Sequence, residues 1–188
     1  MNQVLPAIKS YLFFSLLFGL VYPLAMTGIS QMFFPHQAGG SLIEQNGKVI
    51  GSRLIAQKFE SPRYFWSRPS SQDYNPQPSG GSNWGPISAD LKKQVDERAA
   101  KLKAAHQLAE IPQDLLFASA SGLDPHISPE AARYQALRVA QARNMDPTRI
   151  QHLIDETLRG RQIGFLGEPT VNVLELNLAL DRESSGVK

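Results

Sequence analysis

Hydrophobic positions are spread very unevenly along the chain. From Tyr11 to Phe34, twenty-four residues carry no charge, and twelve of them are Leu, Ile, Val or Phe. As a helix this run would be about 36 Å long at about 1.5 Å per residue. A bilayer's hydrocarbon layer is about 30 Å thick, so one membrane span is expected. Within the run Ser15, Gly19, Pro23, Thr27 and Gln31 recur at every fourth position. Four residues slightly overshoot one helical turn, so these small and polar groups form a single, slowly winding flank. Helices in lipid associate through small side chains and interhelical hydrogen bonds, and the flank is predicted to face a partner helix. Pro23 adds to this, because a proline inside a helix deprives the carbonyl four residues back, here that of Gly19, of its usual donor. The run is too long for the apolar core of a cleaved leader, and Ala25-Met26-Thr27 is a poor small-x-small cleavage site, so an uncleaved anchor is expected. Lys9 on one side competes with Lys48 and Arg53 on the other, but long domains translocate largely regardless of charge. The carboxyl-terminal part is accordingly placed outside the membrane.

Beyond the span the pattern changes. Residues 35–41 (PHQAGGS) read as a helix stop and hinge. Asn46-Gly47 between SLIEQ and KVIGSRLIAQKF reads as a two-residue hairpin turn, with strand character continuing towards Phe59. Ser61 to Pro86 is rich in Pro and Gly yet interleaved with Tyr64, Phe65, Trp66, Tyr74 and Trp84. Disordered segments are depleted in aromatics, so an ordered loop pinned by its rings is expected. Ser88 caps a helix with Leu91, Val95, Arg98/Ala99 and Leu102 on one side, while Lys92, Lys93, Asp96, Glu97, Lys101 and Lys103 read as its solvated face. Leu115 to Ala118 suits a buried strand. Ser128-Pro129 and Asp146-Pro147 are cap-proline starts for helices over roughly 129–144 and 147–159, the second ending at Gly160. Residues 171–180 are apolar on both faces, which fits a central strand or a buried helix equally.

The 150 or so residues after the span suffice for one domain with its own core. The fold class expected is a single transmembrane helix plus one α+β extracytoplasmic domain, divided as 1–34 (anchor about 11–34), 35–41 (hinge) and 42–188. Apart from Lys9 the basic and acidic side chains number 18 and 17. That balance, with no clustered Lys/Arg stripe, gives no nucleic-acid footprint. The chain has no cysteine, which excludes disulfides and thiol chemistry. His36, His106, His126 and His152 lie far apart without metal-site spacing, and surface or partner-facing positions are expected for them.

Two motifs invite chemistry. Ser79-Gly80-Gly81-Ser82-Asn83 precedes a helix start, where flexible backbone amides can cradle an anion, but the phosphate-loop spacing and its Lys-Ser/Thr are missing. A structural turn is the simpler reading. Ser119, Ser121, Asp124 and His126 suggest a hydrolase only superficially, since no G-x-S-x-G elbow is present. Asp73, Asp124 and Glu175 are isolated in sequence, with nothing to pair them as catalytic carboxylates.

Several stretches, in this order and spacing, together resemble the C subunit of the bacterial Kdp-type potassium-transporting P-type ATPase. They are Val21-Tyr22-Pro23, Gly40-Ser41-Leu42-Ile43, Leu54-Ile55 with Phe59, Tyr64-Phe65, Arg68-Pro69-Ser70, Tyr74-Asn75-Pro76, Ser79 to Asn83, Ala118 to Asp124, Val139-Ala140, Ala142-Arg143-Asn144, and Glu175 to Asp181. The resemblance covers nearly the whole chain. It implies a non-catalytic accessory subunit of a high-affinity potassium uptake complex in the bacterial inner membrane. Its expected partners are the channel-like potassium-translocating subunit, the ATP-hydrolysing subunit and membrane lipid. It further implies a catalytic-chaperone role that raises the ATP affinity of the hydrolysing subunit, with Ser79, Gly80, Gly81, Ser82 and Asn83 near nucleotide. A domain outside the membrane pulls against direct contact with cytoplasmic ATP, so no cofactor of its own is expected and ATP enters through the complex. The other readings are a membrane-anchored extracytoplasmic hydrolase, using Ser121 or another loop hydroxyl, and a binding module.

Overall fold

The computed structural model describes residues 3–106 and 110–184 and divides into two compact units, Met1–Ile50 and Gly51–Lys188. In the first, α1 (Val4–Leu16), a π-helical turn (Leu17–Val21) and α2 (Tyr22–Phe33) form one helix of 30 residues, with an 18-residue stretch of mean hydropathy 1.9. None of its residues is buried by the rest of the chain. The helix is long and apolar enough to cross a membrane, and its Leu and Phe side chains have only lipid or another protein to cover them. The π turn has a local cause. Pro23 supplies no N–H, and the ladder shifts so that Tyr22 N donates to Leu17 O, five residues back.

After Phe34 the chain makes one further helical turn, α3 (Pro35–Ala38), before Gly40 and Ser41 turn it with φ of +84° and +49°. β1 (Leu42–Gln45) then pairs with β2 (Lys48–Ser52). Asn46 and Gly47 have φ of +53° and +74°, the type I′ geometry that Asn-Gly favours. Strand character stops at Ser52 instead of continuing to Phe59, because the Ser52 hydroxyl accepts from Leu54 N at 3.1 Å and turns the chain.

In the second unit α4 (Ala89–His106), α5 (Gln113–Leu116), α6 (Pro129–Arg143), α7 (Pro147–Thr157) and α8 (Val173–Ser184) accompany a small antiparallel sheet. Its order is β3 (His126–Ile127), β5 (Thr170–Asn172), β4 (Leu158–Arg159), with Val171 opposite both Ile127 and Leu158. The mixed helix and sheet character matches expectation. Ser128 and Asp146 accept from Ala131 N and Thr148 N, which caps α6 and α7 ahead of their prolines. Ile127, Val139, Ile150, Ile154, Val171, Leu176 and Leu180, none more than 2% exposed, form the centre of the core.

Two further local expectations are corrected. Leu115 to Ala118 is not a strand: Gln113–Leu116 is one helical turn that buries Leu115, and so short an apolar run has no period to distinguish the two. The 147–159 helix ends at Thr157, because Leu158 and Arg159 supply backbone partners to β5. Residues 170–184 are strand and helix in succession, which explains why both faces are apolar.

Between Ser52 and α4 no regular element forms, yet the aromatic segment is ordered. Its five consecutive carbonyls from Pro62 to Trp66 all accept from side chains. Arg138 serves Pro62 O (2.5 Å) and Tyr64 O (3.0 Å), and Arg143 serves Arg63 O (2.6 Å). Asn177 serves Phe65 O (3.0 Å) and Gln135 serves Trp66 O (3.1 Å). The same two amides accept from Phe65 N and Trp66 N, both at 2.8 Å. Side chains of α6 and α8 thus do what neighbouring strands do elsewhere, and Phe65 is fully buried.

Candidate functional site

Along the apolar helix, Ser15 lies on α1, Gly19 in the π turn, and Pro23, Thr27 and Gln31 on α2. A side chain at Gly19 would meet nothing within 4 Å, so this flank is open to a close neighbour. Thr27 Oγ1 donates to Pro23 O at 2.8 Å, keeping its proton within its own helix and presenting only its oxygen lone pairs outward. The wider π turn reduces the overshoot of a four-residue step and straightens the stripe where it passes Gly19.

The two loop motifs are brought together. Gly80 N donates to Ser121 O at 3.0 Å, and Ser71 Oγ donates to Gly80 O at 2.8 Å. A Cβ at Gly81 would sit 3.0 Å from Ala120 O, and one at Gly122 (φ +69°) 3.0 Å from both Gly80 O and Ser70 Oγ. Backbone lies on backbone, and glycine is the residue that permits it. Ser79 and Asn83 are exposed, while Gly80, Gly81 and Ser82 are half-buried. Sequence spacing alone could not reveal this glycine-to-glycine approach.

Ser119, Ser121, Asp124 and His126 do not assemble as a triad. Ser119 is buried and its N–H donates to Pro69 O at 3.1 Å; Ser121 Oγ accepts from Leu123 N at 3.1 Å. Asp124 is bonded to Arg68 Nη1 (2.9 Å) and to His126 N (3.0 Å), whereas His126 Nδ1 is 3.7 Å from its carboxylate. Among the described residues no hydrogen bond joins either serine to His126. The three isolated carboxylates have separate cations: Asp73 has Lys58, Asp124 has Arg68, and Glu175 has Arg53 and Arg159.

His106 corrects the expectation of surface histidines. It is 5% exposed, its ring 4.6 Å from that of Tyr134 and edge-on to Trp66 at 5.5 Å. Nδ1 donates to Leu102 O at 2.9 Å and Nε2 accepts from Arg138 Nε at 2.9 Å, an arrangement that requires the neutral ring. Burial lowers its pKa to about 4, with the Arg138 charge acting in the same direction and the Leu102 bond opposing it. Arg138 lies with its guanidinium 4.1 Å from the Trp66 ring centre, and burial lowers its pKa to about 10. Its remaining bond is to Gln135 Oε1 at 2.9 Å, so among the described residues neutral acceptors, not a carboxylate, receive its hydrogen bonds. A cleft of about 220 Å³ beside this cluster is lined by Lys58, Tyr74, Arg98 and Lys101 as well as Trp66. There burial raises the Tyr74 hydroxyl to about 12 while it donates to Arg68 O at 2.8 Å.

Residues 4–182 match the family model described as K+-transporting ATPase, c chain. The chain is 50% identical to the potassium-transporting ATPase KdpC subunit of Bradyrhizobium diazoefficiens, an alignment covering 98% of this chain and 99% of that one. It is also 50% identical to the subunit of Methylococcus capsulatus (96% and 97% covered) and 52% identical to that of Geobacter sulfurreducens (96% and 98% covered).

Proposed function

The chain belongs to the K+-transporting ATPase c-chain family and is a potassium-transport subunit; from that premise we propose that it is the accessory part that assembles and stabilises the complex. The observation that carries this reading is the apolar helix Val4–Phe33, none of whose residues is buried and which holds an open Gly19 on the small-residue flank. In this proposal Ser15, Gly19, Pro23, Thr27 and Gln31 pack against a helix of the channel-like potassium-translocating subunit. The domain after residue 41 lies outside the inner membrane and braces that subunit. The ATP-hydrolysing subunit performs the chemistry, and any increase in its ATP affinity is transmitted through the assembly. Ser79 to Asn83 then shape the domain through the Ser119–Gly122 loop and do not touch nucleotide.

Replacing Gly19 and Thr27 together with Leu is expected to reduce co-purification of partner subunits in mild detergent several-fold while membrane insertion is unchanged. Undiminished co-purification would remove the helix from the interface. Orientation has its own readout, because a chain without native cysteine can carry one probe at Asn83→Cys. An impermeant thiol reagent is expected to label it in intact cells. Protection at Asn83 and at a second exposed position of the domain would place the domain in the cytoplasm and reopen direct contact with ATP.

A further inference from the structure

Past β4 the chain makes a tight hairpin. Gln162 and Leu166 exchange both main-chain bonds at 2.9 Å, and Phe165 N donates to Gln162 O at 3.3 Å. Of the three residues between them, Ile163 and Gly164 have φ of +53° and +83°, so the Gln162–Phe165 turn has the left-handed φ values of type I′. The Asn46-Gly47 turn has the same pair of positive φ values and the residues that favour them. At 163 the same backbone position holds a β-branched residue, the type for which left-handed φ is a true outlier. Folding alone selects against isoleucine there. Packing within the chain gives no compensation, since Ile163 is 83%, Phe165 69% and Leu166 48% exposed. Strain retained at an exposed apolar tip points to a use outside the chain.

Charge indicates what covers it. The charged side chains of residues 160–168 are Arg161 and Glu168, which pair with each other at 2.7 Å. The tip therefore offers no unpaired cation to anionic headgroups, and it has no Trp or Tyr of the kind that settles at a bilayer surface. A second copy of the chain is the less direct host, because the relatives of this chain are subunits of a K+-transporting ATPase, which supplies other subunits beside it. We infer that Ile163, Phe165 and Leu166 form an apolar plug that seats in an uncharged hydrophobic pocket on another subunit of the same ATPase complex. This contact rests on the assembly role proposed above.

The test uses the full chain in its co-purified complex. Phe165→Ser is expected to speed dissociation of partner subunits about tenfold or more, as for a buried interface anchor. Ile163→Asn is the sharper variant. It is expected to leave the chain's thermal midpoint unchanged or raised, because Asn accepts the left-handed backbone, while partner retention falls. A lower midpoint for Ile163→Asn would mean that the tip packs within its own chain, and retention equal to wild type in both variants would equally overturn the inference. Phe165→p-benzoylphenylalanine should photo-crosslink to a partner subunit; crosslinking to lipid, to a second copy or to no protein overturns it. Failure of the wild-type chain to co-purify at all would instead defeat the assembly reading on which the plug depends.

Discussion

Arg138→Met is expected to cost about 4 kcal/mol, the range for breaking a buried charged network, and to lower the thermal midpoint of the full chain in mild detergent by about 8–16 °C. The guanidinium binds His106 Nε2, Pro62 O, Tyr64 O and Gln135 Oε1 and stacks on Trp66, so one side chain holds α4, α6 and the aromatic segment together. Methionine retains much of the stem but leaves His106 Nε2 buried without its donor and takes the side-chain donor from Pro62 O and Tyr64 O, which is where most of the loss arises. Arg138→Lys should rescue little, since an ammonium cannot reach four divergent acceptors from one plane. Trp66 fluorescence should shift to longer wavelength before global unfolding.

The network also sets a pH signature. His106 has its pKa lowered from an ordinary 6.5 to about 4, so between those values the unfolded chain binds a proton that the folded chain does not. Its contribution is complete above about pH 6.5, declines as pH falls and levels off below about pH 4, a loss on the order of 2 kcal/mol after allowance for screening. Removing the Arg138 charge should make that decline shallower. A midpoint within 3 °C of wild type, or full rescue by lysine, would show that Arg138 is not the organiser.

Asn177→Leu is expected to be the next most damaging change, about 3 kcal/mol or about 6–12 °C. Leucine keeps the branching of asparagine's side-chain heavy atoms in a site only 2% exposed, so most of the loss comes from stranding Phe65 N–H and Phe65 C=O in the core. Asn177→Asp keeps an acceptor for Phe65 N but brings a carboxylate to Phe65 O, and should be comparably unstable at neutral pH. Arg138 and Asn177 grip the same segment through different helices, so the double variant should lose less than the sum of the two. Strict additivity in denaturant melts would contradict a shared segment.

These two residues also mark where the sequence was opaque. Features set by neighbours in the chain could be read directly: the uncharged run, the Asn46-Gly47 turn, the cap-proline starts at Ser128 and Asp146, and the exposed charges of α4. The bonds that order the aromatic segment span sequence separations of 69 to 112 residues at Gln135 and Asn177 and have no period to betray them. The aromatic content of Ser61–Pro86 signalled order there, but not its cause. His106 looked like a surface residue because nothing local indicates that Arg138 needs an acceptor. The glycines of the Ser79–Asn83 motif suit a turn more simply than an anion cradle, but only Ala120, nearly forty positions away, shows the close approach they allow. At 115–118 and 170–184 the apolar runs were visible but their periodicity was ambiguous.

The contact of Gly80 and Gly81 with Ala120 and Gly122 bears on where foreign sequence can be introduced. Epitope tags or reporter domains spliced into either loop would push its counterpart away, and both would have to be redesigned as one part. Gly47 has open space around it on an exposed two-residue tip, which makes that tip the natural splice point for labelling the assembled transporter.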